Sequence, residues 1–153
     1  MSGPRLGIVG DIERISTPDD VLVGPDDVAN SNIEAIIAVG TSGLRTALGL
    51  NRDLPILPVD IPTLRAVSRD ELDGSVASLK AGDWVPDEQP VYTVDGAGLT
   101  ERAFVLDVTL MTRETARISE YYVETVDRAN EALPVTDVRA DGVVVATPAG
   151  STG

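Results

Sequence analysis

Cysteine and histidine are both absent from the 153 residues of this chain. Without cysteine there are no disulfides and no thiolate chemistry. Without histidine the chain lacks the commonest general base and the commonest metal-ligating side chain. Lysine is almost missing too, Lys80 being the only one. No apolar run reaches the ~18 residues that mark a membrane-spanning helix. The N-terminus, MSGPRLGIVGD, has no charged start followed by a long apolar segment, so no secretory signal is expected.

What the chain has in abundance is acid. Asp and Glu number 25 against 12 Lys and Arg, a net charge of −13 spread along the sequence. Such a surface repels nucleic acid and anionic membranes, so neither is expected as a partner. Apolar residues make up 42% of the chain, enough for a real core in one sizeable domain or two small ones. High acid content, scarce lysine and abundant Ala, Val and Thr resemble haloarchaeal cytoplasmic proteins, in which molar salt screens the self-repulsion. That resemblance implies a halophilic protein with a cytoplasmic location.

The pattern changes in character along the chain. RLGIVG (5–10) suits a first buried strand. PDDV occurs twice, at Pro18 and Pro25, and reads as two proline-started turns around a short strand. IEAIIAV (33–39) is a continuous apolar run, as in a strand covered on both faces. GTSG (40–43) follows as a turn, then LRTALGL as a short helix, then PILPVD (55–60) as another strand. Ser68 with Glu71 forms a capping box that opens a helix. Leu72, Val76 and Leu79 share one face of it, and Gly82 lies where a C-terminal cap belongs. Strand, helix, strand means a parallel α/β sheet.

After Trp84 the pattern is that of antiparallel β structure. Residues 90–94, 102–111, 117–126 and 142–147 read as strands separated by turn signals at 95–98 and 141–142. Phe104, Leu106, Val108 and Leu110 alternate on one face of the second of these. The expected organisation is an α/β domain over residues 1–84 and a β part over 85–153.

Three groups of residues could carry chemistry. Gly40, Thr41, Ser42 and Gly43 lie between a strand and a helix, where backbone N–H groups and the helix N-terminus favour a phosphate; an ordinary β–α turn is the plain alternative. No Gly-Lys-Ser/Thr follows, so this is not a P-loop. TPAGSTG (147–153) ends a strand with hydroxyls and free N–H groups suited to ribose or phosphate, or is simply a loop. The carboxylates Asp11, Asp60, Asp107 and Asp141 stand near strand ends and could bind a ribose hydroxyl or Mg²⁺, although any single acid here is more often solvated surface. Asp107 lies within the apolar FVLDVTL, where a buried charge needs a partner, with Arg117 or Arg139 as candidates. No metal-binding cluster is indicated.

In this order the pieces resemble the NAD kinase family. RADGVVVATPAGST (139–152) closely follows the family signature around its T-P-T-G-S-T loop. ILPVDIPTL (56–64) is similar to its G-I-N-L-G-T-L segment, TARISEYYV (115–123) to its S-P-A-R region, and AVGTSGL (38–44) stands in the place of its G-G-D-G-T-L loop. The resemblance implies an α/β domain joined to a β-sandwich, with NAD bound between them. It implies phosphoryl transfer from ATP with Mg²⁺ to the 2′-hydroxyl of NAD, giving NADP. The substrate-binding residues implied are Gly40, Thr41, Ser42, Gly43, Asp60, Asp107, Thr147, Gly150, Ser151 and Thr152.

The departures are specific. Thr41 stands where the family's catalytic Asp belongs, and a threonine hydroxyl is no general base at neutral pH. Asp60 stands in place of an Asn and is the candidate substitute base, with Asp11 behind it. Pro62 and Arg65 replace glycines, and Leu106 replaces the Asn of an Asn–Asp/Glu pair. The family continues past residue 153. The expectation is therefore a piece of a longer chain, or a member without its distal half whose open sheet edge is covered in a homo-oligomer. Three functions follow as expectations: an NAD kinase, a non-catalytic nucleotide-binding relative acting as sensor or partner, and, less favoured without a basic membrane patch, a lipid-type kinase of the same superfamily.

Overall fold

The computed structural model describes residues 4–13, 15, 21–50, 52–62, 64–96, 98–114, 118–126, 129 and 131–151. The first PDDV copy, apart from Val21, falls outside them, as do Arg117 and Thr152. The first half is built on a parallel sheet of β1 (Leu6–Gly10), β2 (Leu22–Val23), β3 (Ala35–Val39) and β4 (Ile56–Val59), in the order β2-β1-β3-β4. β3 lies in the centre, and all five of its residues are buried. One face of the sheet packs Leu6, Ile8, Ile37 and Val59 against Leu72, Val76 and Leu79 of helix α3 (Leu72–Ala81). The other packs Val9, Ile36 and Ala38 with Val28 of α1 (Pro25–Asn30) and Ala47 of α2 (Gly40–Gly49). The apolar run at 33–39 is thus covered on both sides, as its pattern predicts.

Two local expectations change. The second PDDV is a short helix, because Pro25 occupies a first-turn position and Asp26 and Asp27 complement the helix dipole. GTSG is not a turn ahead of α2; it is the helix's own first turn.

The capping box at Ser68 forms as expected, with the backbone N–H and hydroxyl of Ser68 donating to Glu71 at 3.0 and 2.8 Å. A single 3-10 turn, Arg69–Glu71, then leads into α3, and Gly82 closes the helix in the left-handed region at φ 75°. Those two hydrogen bonds from Ser68, the backbone one first, hold the Glu71 carboxyl below the ordinary carboxylate pKa of 4.5. Since the folded pKa is the lower one, this support is complete above the ordinary value and is lost as the pH falls through the folded value. The Glu71→Gln variant is therefore expected to show a weaker loss of stability on acidification below pH 4.5 than the wild type, read from circular dichroism melts across pH.

β4 forms one edge of the sheet, which suits Pro58, a residue with no N–H to give to a ladder. The chain folds back along this edge: the Val67 N–H donates to the Pro58 carbonyl, and the Asp60 N–H to the Val67 carbonyl, both at 3.0 Å.

From Asp83 to Val91 the backbone has no helix or strand. Trp84 stands in this stretch, half-exposed, with a concavity of about 470 Å³ on one side and one of about 370 Å³ on the other, both also lined by Leu79. Beyond it lie three antiparallel ribbons, β5 (Tyr92–Gly96) with β6 (Leu99–Phe104), β7 (Asp107–Met111) with β10 (Gly142–Ala146), and β8 (Ser119–Val126) with β9 (Ala132–Ala140). The strand predicted at 102–111 is divided between β6 and β7. Its alternating pattern runs unbroken through the gap. The carbonyls of Val105 and Leu106, however, accept hydrogen bonds from Thr147 and not from a neighbouring strand. β9 has no counterpart among the predicted strands. Its ladder carries a bulge beside Pro134, and such interruptions hide a strand in the sequence. Val105 and Thr147 are the buried residues of this half among those described.

Candidate nucleotide site

β1, β3 and β4 end along one rim of the parallel sheet, and ligands of open α/β sheets bind outside such carboxyl ends. α2 starts there directly from β3, with Val39 as its N-cap, no capping side chain and no acid in its first turn. Among the described residues no side chain caps its first amides, which lie at the positive end of the helix dipole. Gly10 and Gly43 let the helix come this close to β1. A Cβ on Gly43 would lie 2.6 Å from the Val9 carbonyl oxygen, and one on Gly10 would lie 2.7 Å from the Gly43 Cα.

A charged bridge crosses the same rim. Arg69 Nε donates to Asp60 at 2.6 Å, and its Nη2 donates to Asp11 at 3.2 Å. Asp11 follows β1 and Asp60 follows β4, two strand spacings or about 10 Å apart. β3 lies between them, so the guanidinium spans the end of β3, where α2 begins. Hydrogen bonds donated to Asp60, then to Asp11, raise the Arg69 pKa above the ordinary arginine value and keep it charged. Asp60 has φ 52°, the left-handed region, and is the one non-glycine residue with positive φ among those described. Its carboxylate is held in the ion pair with Arg69.

The second loop is fixed from within. The Thr147 hydroxyl, buried, donates to the Val105 carbonyl and accepts the Gly150 N–H at 3.0 Å. The Ser151 N–H returns to the Thr147 carbonyl at 2.9 Å, and the Thr147 N–H donates to the Leu106 carbonyl at 2.8 Å. Gly150 lies so close to Leu106 that a Cβ there would meet its carbonyl oxygen. Leu106 thus anchors the loop through its backbone.

No family model matches this chain. It is 28% identical over 128 residues to an NAD kinase of Thermococcus sibiricus, covering 79% of this chain and 44% of that protein. A similar match joins it to an NAD kinase of Methanothermobacter thermautotrophicus, 28% identical over 133 residues, with 83% and 45% covered. An NAD kinase of Methanopyrus kandleri is 28% identical over 155 residues, with 96% and 50% covered. The crystal structure of yeast NADH kinase complexed with NADH superposes with a TM-score of 0.60 at 18% identity, covering 87% of this chain and 41% of that one. The chain has the NAD kinase fold. It spans 44 to 50% of the length of these curated relatives.

Within this NAD kinase fold the predicted residues divide into two groups. Gly40, Thr41, Ser42 and Gly43 join Asp11 and Asp60 at the rim, with Thr41 and Ser42 exposed and Gly43 buried. Asp107, Thr147, Gly150 and Ser151 gather at the second loop, since Asp107 pairs in register with Ala146. Asp107 is exposed at the start of β7, so it needs no buried partner. Arg139 pairs instead with Glu120 at 3.3 Å on the open surface. Asp141 contributes its carbonyl oxygen, which accepts the Thr112 hydroxyl at 3.0 Å. Arg69 and Gly10 were not among the predicted residues. In the SRDE stretch the local pattern signals the helix cap, and the arginine between Ser68 and Asp70 is the one sign of the bridge. Among the described residues no group of three or more acids is placed to hold a metal ion.

Proposed function

We propose that this chain is a nucleotide-binding protein of NAD kinase type. NAD is taken at the rim of β1, β3 and β4, and a phosphoryl group passes from ATP to its 2′-hydroxyl, giving NADP. The observation that carries this reading is the uncapped start of α2 at that rim, in a chain similar to NAD kinases over most of its length. Residues 1–84 would form the nucleotide-binding unit, and residues 85–153 would bring the second loop to the dinucleotide.

The α2 amides supply donors for a phosphate, and Arg69 fixes the two carboxylates beside it. The Thr41 hydroxyl can hydrogen-bond a ribose or phosphate oxygen but takes no proton at neutral pH. With Asp11 and Asp60 both engaged by Arg69, the donors described do not fit a protein-held Mg²⁺. Mg²⁺ would enter with the phosphates of ATP, and no step is assigned to a metal ligated by this chain. Phosphoryl transfer depends chiefly on alignment and charge neutralisation. Lack of a positioned base is thus expected to slow turnover by about 10²–10⁴-fold without removing binding.

A second reading, a nucleotide-binding partner with no turnover of its own, is favoured by Thr41 in the helix's first turn and by the Asp60–Arg69 ion pair. Equilibrium dialysis with labelled NAD, run beside an NADP assay with NAD, ATP and Mg²⁺ in molar KCl, separates the two. Turnover above the protein-free rate supports the kinase. Binding without turnover supports the partner. Folded protein that does neither overturns both.

A further inference from the structure

We propose that Arg69 is a positioning residue, a strap that ties the ends of β1 and β4 together across β3 and so sets the shape of the rim. It deepens the nucleotide reading of that rim and rests on it. Asp60 stands in the left-handed region at φ 52°, which a residue with a Cβ adopts reluctantly, although Asn and Asp tolerate it best. Its N–H donates to the Val67 carbonyl, and its carboxylate accepts from Arg69 Nε at 2.6 Å. Backbone and side chain together hold the turn that follows β4. The same guanidinium reaches Asp11, 58 positions earlier, with Nη2 at 3.2 Å. The Asp11 N–H in turn donates to the carbonyl of Val39, the last residue of β3 and the N-cap of α2. Arg69 itself opens the 3-10 turn fixed by the Ser68–Glu71 capping box. One side chain on a rigid element thus joins the turn after β4, the end of β1 and, through Asp11, the residue from which α2 starts.

Exposure separates this role from a role in stability. The side chains of Arg69, Asp60 and Asp11 are 28%, 39% and 61% exposed, and ion pairs this open add little to folding. What such a bridge does fix is direction. The guanidinium is a planar fork, so its two arms hold both carboxylates in set orientations at once. Lysine at this position keeps the charge but offers a compact ammonium on a flexible stem, without the fork.

The test is NAD binding by equilibrium dialysis in molar KCl, set beside thermal melts and amide NMR spectra of the nucleotide-free protein. Arg69→Ala is expected to weaken NAD binding on the order of 10-fold, while the melting temperature falls by no more than about 4 °C. Arg69→Lys is expected to bind as weakly as Arg69→Ala. Asp11→Ala is expected to weaken binding too, and to add nothing to Arg69→Ala, because Asp11 acts through the same guanidinium. In the nucleotide-free spectra Arg69→Ala is expected to move the amide signals of Asp60 and of Gly40 to Gly43. Wild-type affinity in Arg69→Lys overturns the proposal, since charge alone would then suffice. Additive losses in the double variant overturn it as well, and so does a fall in melting temperature well beyond 4 °C, which marks a structural ion pair. A wild type that binds no NAD overturns the nucleotide reading instead. The strap is then judged by the spectra: moved signals at Gly40 to Gly43 support it, and unmoved ones overturn it.

Discussion

Replacing Thr41 by Asp is expected to raise NADP formation by about 10²–10⁴-fold, the usual contribution of a positioned general base. Position 41 lies in the first turn of α2, directly beyond the central strand, and its side chain is exposed at the rim. A carboxylate there faces whatever occupies the helix N-terminus. It also complements the helix dipole, for which α2 has no acid of its own, and this adds about 0.3–1 kcal/mol of stability. The variant should therefore fold at least as well as the parent. The gain belongs in kcat, while KM for NAD is expected to rise no more than modest repulsion from the phosphates requires. Thr41→Asn is the control: it offers hydrogen bonds of similar reach but no base, and its turnover should match the wild type. If Thr41→Asp gives no increase, position 41 is not where a base is missing: the base lies elsewhere or the site is incomplete.

Gly10→Ala is expected to cost about 3 kcal/mol or more, from a left-handed backbone forced on alanine together with overpacking. Gly10 has φ 110°, and a Cβ there would meet both the Val39 carbonyl oxygen and the Gly43 Cα. Neither neighbour is a flexible side chain, so relief requires α2 to move away from β1. In a chain of this size each kcal/mol lowers the melting temperature by about 2–4 °C, so a fall of roughly 6–12 °C is expected. NAD binding should weaken with it, since the start of α2 is what moves. Gly74→Ala is the contrast. Gly74 lies within α3 with nothing near its missing Cβ, and alanine there is expected to stabilise by about 0.5–1 kcal/mol. Circular dichroism melts of the two variants check both signs at once, and a Gly10→Ala protein that melts with the wild type would refute the close approach.

The sequence made the central architecture legible because its signals are local and additive. The run from Ile33 to Val39, the cap at Ser68, the stripe of Leu72, Val76 and Leu79 and the glycine at 82 each have a physical reason tied to a few neighbouring residues. The features that escaped depend on residues far apart in the chain. The division of 102–111 into two strands is caused by Thr147, some forty positions later. The ion pair of Asp60 and Asp11 depends on Arg69, which reaches Asp11 across 58 positions. The sequence predicts the helix only after GTSG, because two glycines in four residues read as a turn, whereas α2 begins at Gly40. Here Gly43 serves a close contact with β1, and Gly40 takes a positive φ of 67° as the chain leaves β3.

Trp84 is the single tryptophan of the chain, and it stands beside Leu79 between two concavities that none of the rim residues lines. Intrinsic fluorescence therefore observes the far end of α3 and the passage into the β ribbons. Emission from this protein should shift when that passage rearranges or the chain unfolds, and stay constant when a nucleotide settles at the rim. A flat titration curve at this wavelength would be the normal optical behaviour of a fully bound protein, and a reporter placed on the first turn of α2 would be needed to see the ligand arrive.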